Sequence, residues 1–539
     1  MSKQGTGLMQ QPDAALTGTS GTMTPIDRNL ADYARTALAS DPARLAIEYG
    51  GHEYTWADVR QVAEQLRRAL DDSGAGAWGA ISFVARNRPS ALAALAEMLA
   101  GARTVRMIYP FQSPSALAAA VARHDSPVLV MAEEDFTPEV DSVLKARRMA
   151  GIGLAEMGAR FMPGHARAAV REAPATASVE ILTSGTTGPP KQFAVPHGVF
   201  ARFVEGQGQT LLTDPTRPPM LFSFPIGNIS GMYMTCSSFL RGEPVILLDR
   251  FTLPAWLDYV RRYRPTTAGA PPAAVSMILD AGVPREDLAS LDYFSTGAAP
   301  LDPTVQRRFQ ECYGIPVLLS YGATEFGGPV VAMTPALHAE WGESKFGSVG
   351  RAMPGVRLAV RDPETGAEVP AGETGLLEVV SPRLGPDWIR TSDLVSIDAD
   401  GFMFCRGRND GAIMRGGFKV LPEPIERALM LHPAIADAAV VAVPDARLSE
   451  VPGAVVQIKA GAARPSGAEL ADHLRRHVLA TYLPAHWRFV DALPKNPSFK
   501  IDRPALKALF DQEPVEPLPT PAGLTAVAGS PLAVKRRTS

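Results

Sequence analysis

The chain has 539 residues, 46% of them hydrophobic and 20% charged, and a formal net charge of −3. That length calls for two or more domains and that balance for ample core, while the near-neutral charge gives no electrostatic reason to expect nucleic acid or an acidic membrane as partner. Three cysteines, Cys236, Cys312 and Cys405, lie far apart with no CxxC pair, which argues against a disulfide framework or a structural zinc and fits a reducing cytosol.

Residues 1–24 are rich in Gly, Ser, Thr and Gln, lack the apolar core of a signal peptide, and read as a disordered tail. No apolar run approaches the ~18 residues that cross a bilayer, so a cytoplasmic protein is expected. "TWADVRQVAEQLRRALDDSG" sets Val59, Val62, Ala63, Leu66 and Leu70 near a 3.6-residue period and predicts an amphipathic helix. "PSALAALAEMLAGA" predicts a second helix, apolar most of the way round and therefore buried. The short apolar runs "GAISFVA", "PVLVMA", "VEILTS", "PVILLD", "LDYFST" and "IPVLLSYG" predict buried strands. Strands separated by helices predict an α/β fold with parallel-rich sheets, here a large domain over residues 25–408. From residue 409 a hairpin, a helix from about Glu423, strands including "GAVVQIKA" and a helix over "GAELADHLRRHVLATYL" predict a small α+β domain ending near 511. Residues 512–539, rich in proline and small residues, read as a second tail.

One loop sequence asks for an explanation. "ILTSGTTGPPKQF" follows a predicted buried strand directly. Gly185 and Gly188 admit close approach of an anion to main-chain N–H groups; Thr183, Ser184, Thr186 and Thr187 add hydroxyls and Lys191 a positive charge. It is not a Walker A loop, because Pro190 precedes the lysine and Gln192 follows it. Composition by itself leaves a structural turn and a phosphate loop about equally open.

"TSGTTGPPK" resembles the phosphate-loop signature of the adenylate-forming superfamily of acyl- and aryl-CoA ligases, luciferases and peptide-synthetase adenylation domains. Four further segments occur in that family's order. "STGAAPL" (295–301) resembles the segment lying against adenine and the acid pocket, placing Gly297, Ala298 and Ala299 there. In "YGATE" (321–325) the resemblance implies that Tyr321 and Gly322 contact adenine, Thr324 the α-phosphate, and Glu325 a Mg²⁺ ion, which prefers hard oxygen ligands. In "TSDL" and "GRND" it implies Asp393 and Arg408 as ribose contacts and Asp410 as a hinge. In "PKNPSFKIDRPAL" it implies Lys500 as the catalytic lysine, and in "RGGFKV" Gly416 and Gly417 along the path of a pantetheine arm. The resemblance spans roughly residues 25–510.

The implied activity is ATP-dependent activation of a carboxylic acid, through an acyl-adenylate, to a CoA thioester, with ATP, Mg²⁺ and coenzyme A as cofactors and catalysis assigned to Lys500, Thr324, Glu325 and Lys191. A carrier protein is the alternative acceptor, a catalytically silent nucleotide-binding protein the reading from another class, and a homodimer is compatible with the sequence. Asn228, Gly231, Met232, Ala323 and Gly328 are the expected acid-pocket residues. The stretch "FSFPIGNISGM" holds no carboxylate for a substrate ammonium, which favours a neutral acyl or aryl chain; Asn228 bonds substrate or caps a turn. Three departures from the family pattern stand out: Phe499 before Lys500, Met414 where lysine is common, and a short segment before "WIRTSDL". The chain has no GxSxG elbow and no HExxH, so neither a hydrolase triad of that type nor a catalytic zinc is supported.

Overall fold

The computed structural model describes residues 29–74, 79–162, 176–183, 191–206, 218–298, 301, 303–363, 365–408, 411–494, 503–511 and 516–517. The expectations for both tails, for loop residues 184–188, and for Ala299, Asp410 and Lys500 therefore lie outside the described residues, apart from a short strand at Glu516–Pro517. The chain divides into two compact units. The larger runs through Leu421 and includes Pro444–Glu450 and Leu479–Tyr482; the smaller comprises Pro422–Val443, Val451–Val478 and the chain from Leu483.

In the larger unit the predicted amphipathic helix spans Trp56–Ser73 and buries all five residues named from its period. Thr55 accepts from the Asp58 N–H, and the Asp58 carboxylate accepts in return from the Thr55 backbone at 2.7 Å. This reciprocal cap satisfies two N–H groups that the first helical turn leaves unpaired. Gly74, at φ 75°, ends the helix in the left-handed region that glycine tolerates. The second predicted helix spans Pro89–Ala100, and every residue except Glu97 is buried, as its all-round apolar sequence requires.

All six predicted strands form. Among the described residues, a seven-stranded sheet takes the order Gly158–Phe161, Ala150–Ala155, Val128–Ala132, Ile81–Val84, Val105–Ile108, Ser178–Thr183, Lys191–Pro196. Its interior pairings are parallel and its two edge pairings antiparallel. A four-stranded sheet holds Val245–Leu247 between Leu45–Tyr49 and Met220–Phe222, parallel to both. A five-stranded sheet carries Tyr293–Gly297 parallel to Val317–Ala323, which then pairs antiparallel with Gly328–Ala332. The strands Arg357–Arg361, Thr374–Val380, Ile389–Ile397 and Met403–Arg408 form a fully antiparallel sheet. The fold is thus α/β with parallel-rich sheets and one antiparallel sheet.

The smaller unit contains the helices Pro422–Met430 and Gly467–Leu474 and, from Val451, the strand Ser449–Ile458, which pairs parallel with His486–Val490. The second helix is shorter than its sequence predicts. His477 and Val478 both donate to the Leu474 carbonyl at 2.9 Å, a tighter turn that ends the helical ladder, and Pro484 bars Leu483 from the helical region. No described helix is long and apolar enough to cross a membrane.

Two buried histidines tie stability to pH. Burial alone pushes His197 down to about 4, and its Nε2 has no hydrogen-bond partner among the described residues. Burial, aided by Arg106 and Arg123, pushes His124 down to about 4 as well. Both stay neutral in the folded chain and take up protons near pH 6.5 when it unfolds, so stability is full above that pH and falls as pH drops toward 4. Each histidine contributes a slope of about 1.4 kcal/mol per pH unit in that window. Other groups titrate in the same window, Glu97 with the opposite sign because burial raises it to about 7, so His197→Gln is expected to lower the slope between pH 6.5 and 5 by about 1 kcal/mol per pH unit, read from urea midpoints; an unchanged slope would remove His197 as a cause.

Candidate active site

The loop rich in Gly, Ser and Thr is the connection of an antiparallel hairpin. Its flanking strands pair in register from Ser178 with Pro196 to Thr183 with Lys191. Val179, Ile181 and Val195 are buried, so the two strands that flank the expected phosphate loop are anchored in the core. The short helix Thr324–Phe326, which carries Thr324 and Glu325, packs against both hairpin strands. Two motifs separated by more than a hundred residues thereby meet. Glu325 is half-buried with no ion-pair partner among the described residues, the situation of a carboxylate left available to a cation.

Gly327, at φ 68°, ends this short helix, and the strand Gly328–Ala332 returns along Val317–Ala323. Gly322 lies opposite Pro329 and Ala323 opposite Gly328. A Cβ on Gly322 would stand 2.5 Å from the Pro329 Cα, so only glycine permits this approach. On the other side, Gly297 pairs with Ser320, and a Cβ there would meet the Ser320 Oγ at 2.5 Å. Ala298 follows at φ 67°, a left-handed alanine at the strand end, a costly conformation that clusters at functional sites.

Tyr321 and Asp393 are brought into direct contact. The Tyr321 hydroxyl donates to Asp393 Oδ2 at 2.5 Å, and the Asp393 N–H donates to Thr391 Oγ1 at 3.0 Å. Asp393 is the register partner of Arg408 on the adjacent strand. Gly416 and Gly417 join Ile413–Arg415 to Phe418–Val420 at φ 53° and 88°. Two consecutive positive φ values make the tight hairpin turn that Gly-Gly favours.

Asn228, open in the sequence between substrate contact and cap, serves as a cap. Its Oδ1 accepts from the Gly231 N–H at 2.7 Å and starts the helix Ile229–Ser237. Gly231 and Met232 lie in that helix and are buried. Tyr233, one residue on, packs its ring over Gly328 and donates its hydroxyl to the Gly327 carbonyl. Phe200 and Phe203 hold the ring at centroid distances of 5.5 and 4.6 Å. Burial pushes the Tyr233 hydroxyl up to about 12, so it stays a donor. Tyr233 therefore couples the helix Ile229–Ser237 to the "YGATEFGG" turn, a role sequence reading missed because aromatic residues at helix spacing usually signify core.

A second missed residue is Asn87. It is 4% exposed, and its side chain donates to the Phe224 and Leu248 carbonyls at 3.0 and 2.9 Å while accepting from the Ile226 N–H at 2.8 Å. It fixes the segment leading into Asn228. Close packing of that segment supplies a further expectation. A Cβ on Gly231 would fall 2.0 Å from the Pro225 carbonyl oxygen and 2.6 Å from the Ile226 Cα, both backbone atoms. Gly231→Ala should cost about 1–3 kcal/mol in a urea unfolding measurement. Gly198→Ala, where the added atom meets only the Arg202 guanidinium at 3.6 Å, should be nearly neutral; equal effects would show that Gly231 is not sterically required.

Among the described residues no group of three or more His, Cys, Asp or Glu side chains is arranged to hold a metal. The site instead offers Glu325, a carboxylate with no ion-pair partner among the described residues, near a hairpin expected to hold phosphates. That donor set fits Mg²⁺, which is commonly held by one or two carboxylates together with substrate phosphate oxygens.

The sequence pattern of AMP-binding enzymes matches residues 34–386, and that of the AMP-binding enzyme C-terminal domain matches residues 424–500. The chain is 27% identical over 495 residues to a fatty acid–acyl-carrier-protein ligase, ScoC, of Streptomyces coeruleorubidus, covering 87% of this chain and 94% of that protein. It is 28% identical over 527 residues to 4-coumarate–CoA ligase 3 of rice, Oryza sativa subsp. japonica, covering 89% and 92%. Some plant ligase-like relatives match over only 60% of their own length. Among solved structures, the amide bond synthetase McbA of Marinactinospora thermotolerans is similar at a TM-score of 0.75 and 27% identity, covering 89% of this chain and 99% of that one.

Proposed function

Because this chain belongs to the AMP-binding enzyme family of adenylate-forming ligases, we propose that it activates a carboxylic acid with ATP and transfers the acyl group to the thiol of coenzyme A. The observation that supports this most is the meeting of three distant segments: the phosphate hairpin, the short helix bearing Glu325, and the Tyr321–Asp393 pair. Their residue types suit a nucleotide. Tyr321 has its hydroxyl held by Asp393, which limits the ring's freedom and sets the aromatic face and the carboxylate side by side, where a base and a ribose would lie next to each other.

A carboxylate is a poor acyl donor, because its charge repels nucleophiles and oxide does not leave. In the proposed reaction a carboxylate oxygen attacks the α-phosphorus of ATP, the bond to the β-phosphate oxygen breaks, and pyrophosphate departs. Two anions must approach, so alignment and charge neutralisation dominate the barrier. Residues 184–188 supply N–H and hydroxyl donors to the phosphates, Thr324 bonds the α-phosphate, and Lys191 and Lys500 bring positive charge. Glu325 would hold a Mg²⁺ ion, which when bound would supply charge neutralisation to the phosphate oxygens. The thiol sulfur then attacks the acyl carbon, AMP leaves with the former carboxylate oxygen, and the thiol proton passes to solvent. Asp410 serves as the hinge between the half-reactions, and Gly416–Gly417 line the pantetheine path.

The absence of a carboxylate from the segment Phe222–Met232 favours a neutral acyl or aryl acid. A carrier-protein acceptor is the second reading, favoured by the likeness to the carrier-protein ligase over 94% of its length. Acid-dependent exchange of labelled pyrophosphate into ATP, run over aliphatic and aromatic acids, tests adenylation, and thioester detection with CoA or with phosphopantetheinylated carrier tests the acceptor. Exchange with any acid would dismiss the silent, nucleotide-binding alternative.

A further inference from the structure

The helix Pro89–Ala100 is apolar on every side but carries one charged residue, Glu97, in its last turn. That placement is unfavourable twice over. The side chain is half-buried and makes no hydrogen bond or ion pair among the described residues, and a negative charge near a helix C-terminus opposes the helix dipole. Nothing in the adenylation chemistry above uses it. Glu97 lines a cleft of about 510 Å³, open on one side, between this helix, Trp56–Ser73 and the helix Leu30–Leu38. Small-molecule sites commonly enclose about 300–1,000 Å³. The cleft lies toward the amino ends of the parallel strands, because Ile81, the first residue of Ile81–Val84, donates its N–H to Thr104, a few residues past Ala100, at 2.8 Å. The expected phosphate loop instead leaves the carboxyl end of Ser178–Thr183, which runs parallel in the same sheet.

Leu38, Ala63 and Ala100 give the cleft an apolar lining, and three arginines stand around it. Arg35 is already committed, donating to Asp32 at 2.9 Å and to the Ala100 carbonyl at 3.1 Å. Arg60 and Arg67 lie seven residues apart, on one face of their helix. Neither forms an ion pair among the described residues, and Glu64 between them pairs with Arg68 at 3.6 Å. Burial pushes the Glu97 carboxyl up to about 7 against the pull of Arg67 and Arg103, with Asp71 and Glu64 adding to the rise. At neutral pH much of it therefore carries a proton and can donate a hydrogen bond. An apolar lining, two guanidinium groups without carboxylate partners and a carboxyl group that donates suit a ligand with an apolar chain and an anionic head. Guanidinium groups bind a carboxylate head with the stronger, charge-assisted hydrogen bonds. A cationic head would meet like charge at Arg60 and Arg67.

We propose that this cleft is a second ligand site that binds a single-chain aliphatic carboxylate: Arg60 and Arg67 hold its head group, Glu97 donates to it, and Leu38, Ala63 and Ala100 cover its chain. The site stands independently of the adenylation reading, because none of these residues is assigned to ATP, to the acid being activated or to the thiol.

The test photolabels the full chain with decanoate carrying a diazirine in its chain, at pH 6 and at pH 8, and locates the label by peptide mass spectrometry. Label is expected on peptides that carry Ala63 or Ala100. The concentration for half-labelling should rise about tenfold from pH 6 to pH 8, as Glu97 loses its proton and the head group its donor. Glu97→Gln keeps a donor without a titrating group, so it should retain the label and lose the pH dependence. The double variant Arg60→Ala, Arg67→Ala should raise the half-labelling concentration at least tenfold at pH 6. Unlabelled decanoate should compete and decylamine should not. Label confined to the segment Phe222–Met232, where the activated acid is expected, equal competition by decylamine, or a pH dependence that persists in Glu97→Gln would overturn the proposal.

Discussion

Lys500→Ala is expected to slow acid-dependent pyrophosphate exchange by about 10²–10³-fold, the scale found when one preorganised charge-stabilising contact is removed. A lysine about 4 Å from an anionic oxygen gains on the order of 4 kcal/mol at an effective dielectric near 20. The adenylation transition state joins two anions, so this contact matters there more than in either ground state. Thioester formation from supplied acyl-adenylate meets no such clash, because the leaving AMP already carries its charge on the proposed nucleotide contacts at Tyr321, Thr324 and Asp393. The same variant should therefore convert acyl-adenylate and thiol to thioester at close to the parent rate. Equal loss in both half-reactions, measured by exchange and by single-turnover thioester formation, would contradict the separation of roles.

Asn87→Leu is expected to destabilise the larger unit by about 3–5 kcal/mol, since it strands two carbonyls and one N–H in a buried place, each worth about 1–3 kcal/mol when unsatisfied. The three bonds go to Phe224, Ile226 and Leu248, so no single backbone shift recovers them. Because Ile226 and Phe224 lead into Asn228 and Gly231, KM for the acid should rise more than KM for ATP. Asn87→Asp should not rescue, as it would set a carboxylate against two carbonyl oxygens. A urea midpoint giving a loss under about 1 kcal/mol, below the usual cost of one unsatisfied buried group, would show that solvent or neighbouring groups replace these bonds.

Much of this architecture is legible without coordinates, for local reasons. The helix Trp56–Ser73 follows from its period and from Thr55 and Asp58 at capping spacing. The parallel strands follow from short apolar runs between helices. The antiparallel sheet over Arg357–Arg408 escaped, because its strands are half-buried and mix charged with apolar residues, as in "RLAVR" and "IRTSDLVSI". The overlong helix prediction after Gly467 failed where a tighter turn, invisible to periodicity, closed on the Leu474 carbonyl.

At the site the division runs along the same line. The sequence by itself determined which chemical groups are present: the loop of Ser, Thr and Gly residues, the carboxylates Glu325 and Asp393, the glycine pair at 416–417, and the lack of an acidic residue near Asn228. Only the tertiary structure decided which of those groups are already spoken for. It committed Asn228 Oδ1 to a helix cap, joined Tyr321 to Asp393 across 72 positions, and tied Asn87 to the segment that leads into Asn228. Capping boxes and helical periods are settled within a few residues, whereas a side chain's partner is chosen by whatever distant segment packs beside it.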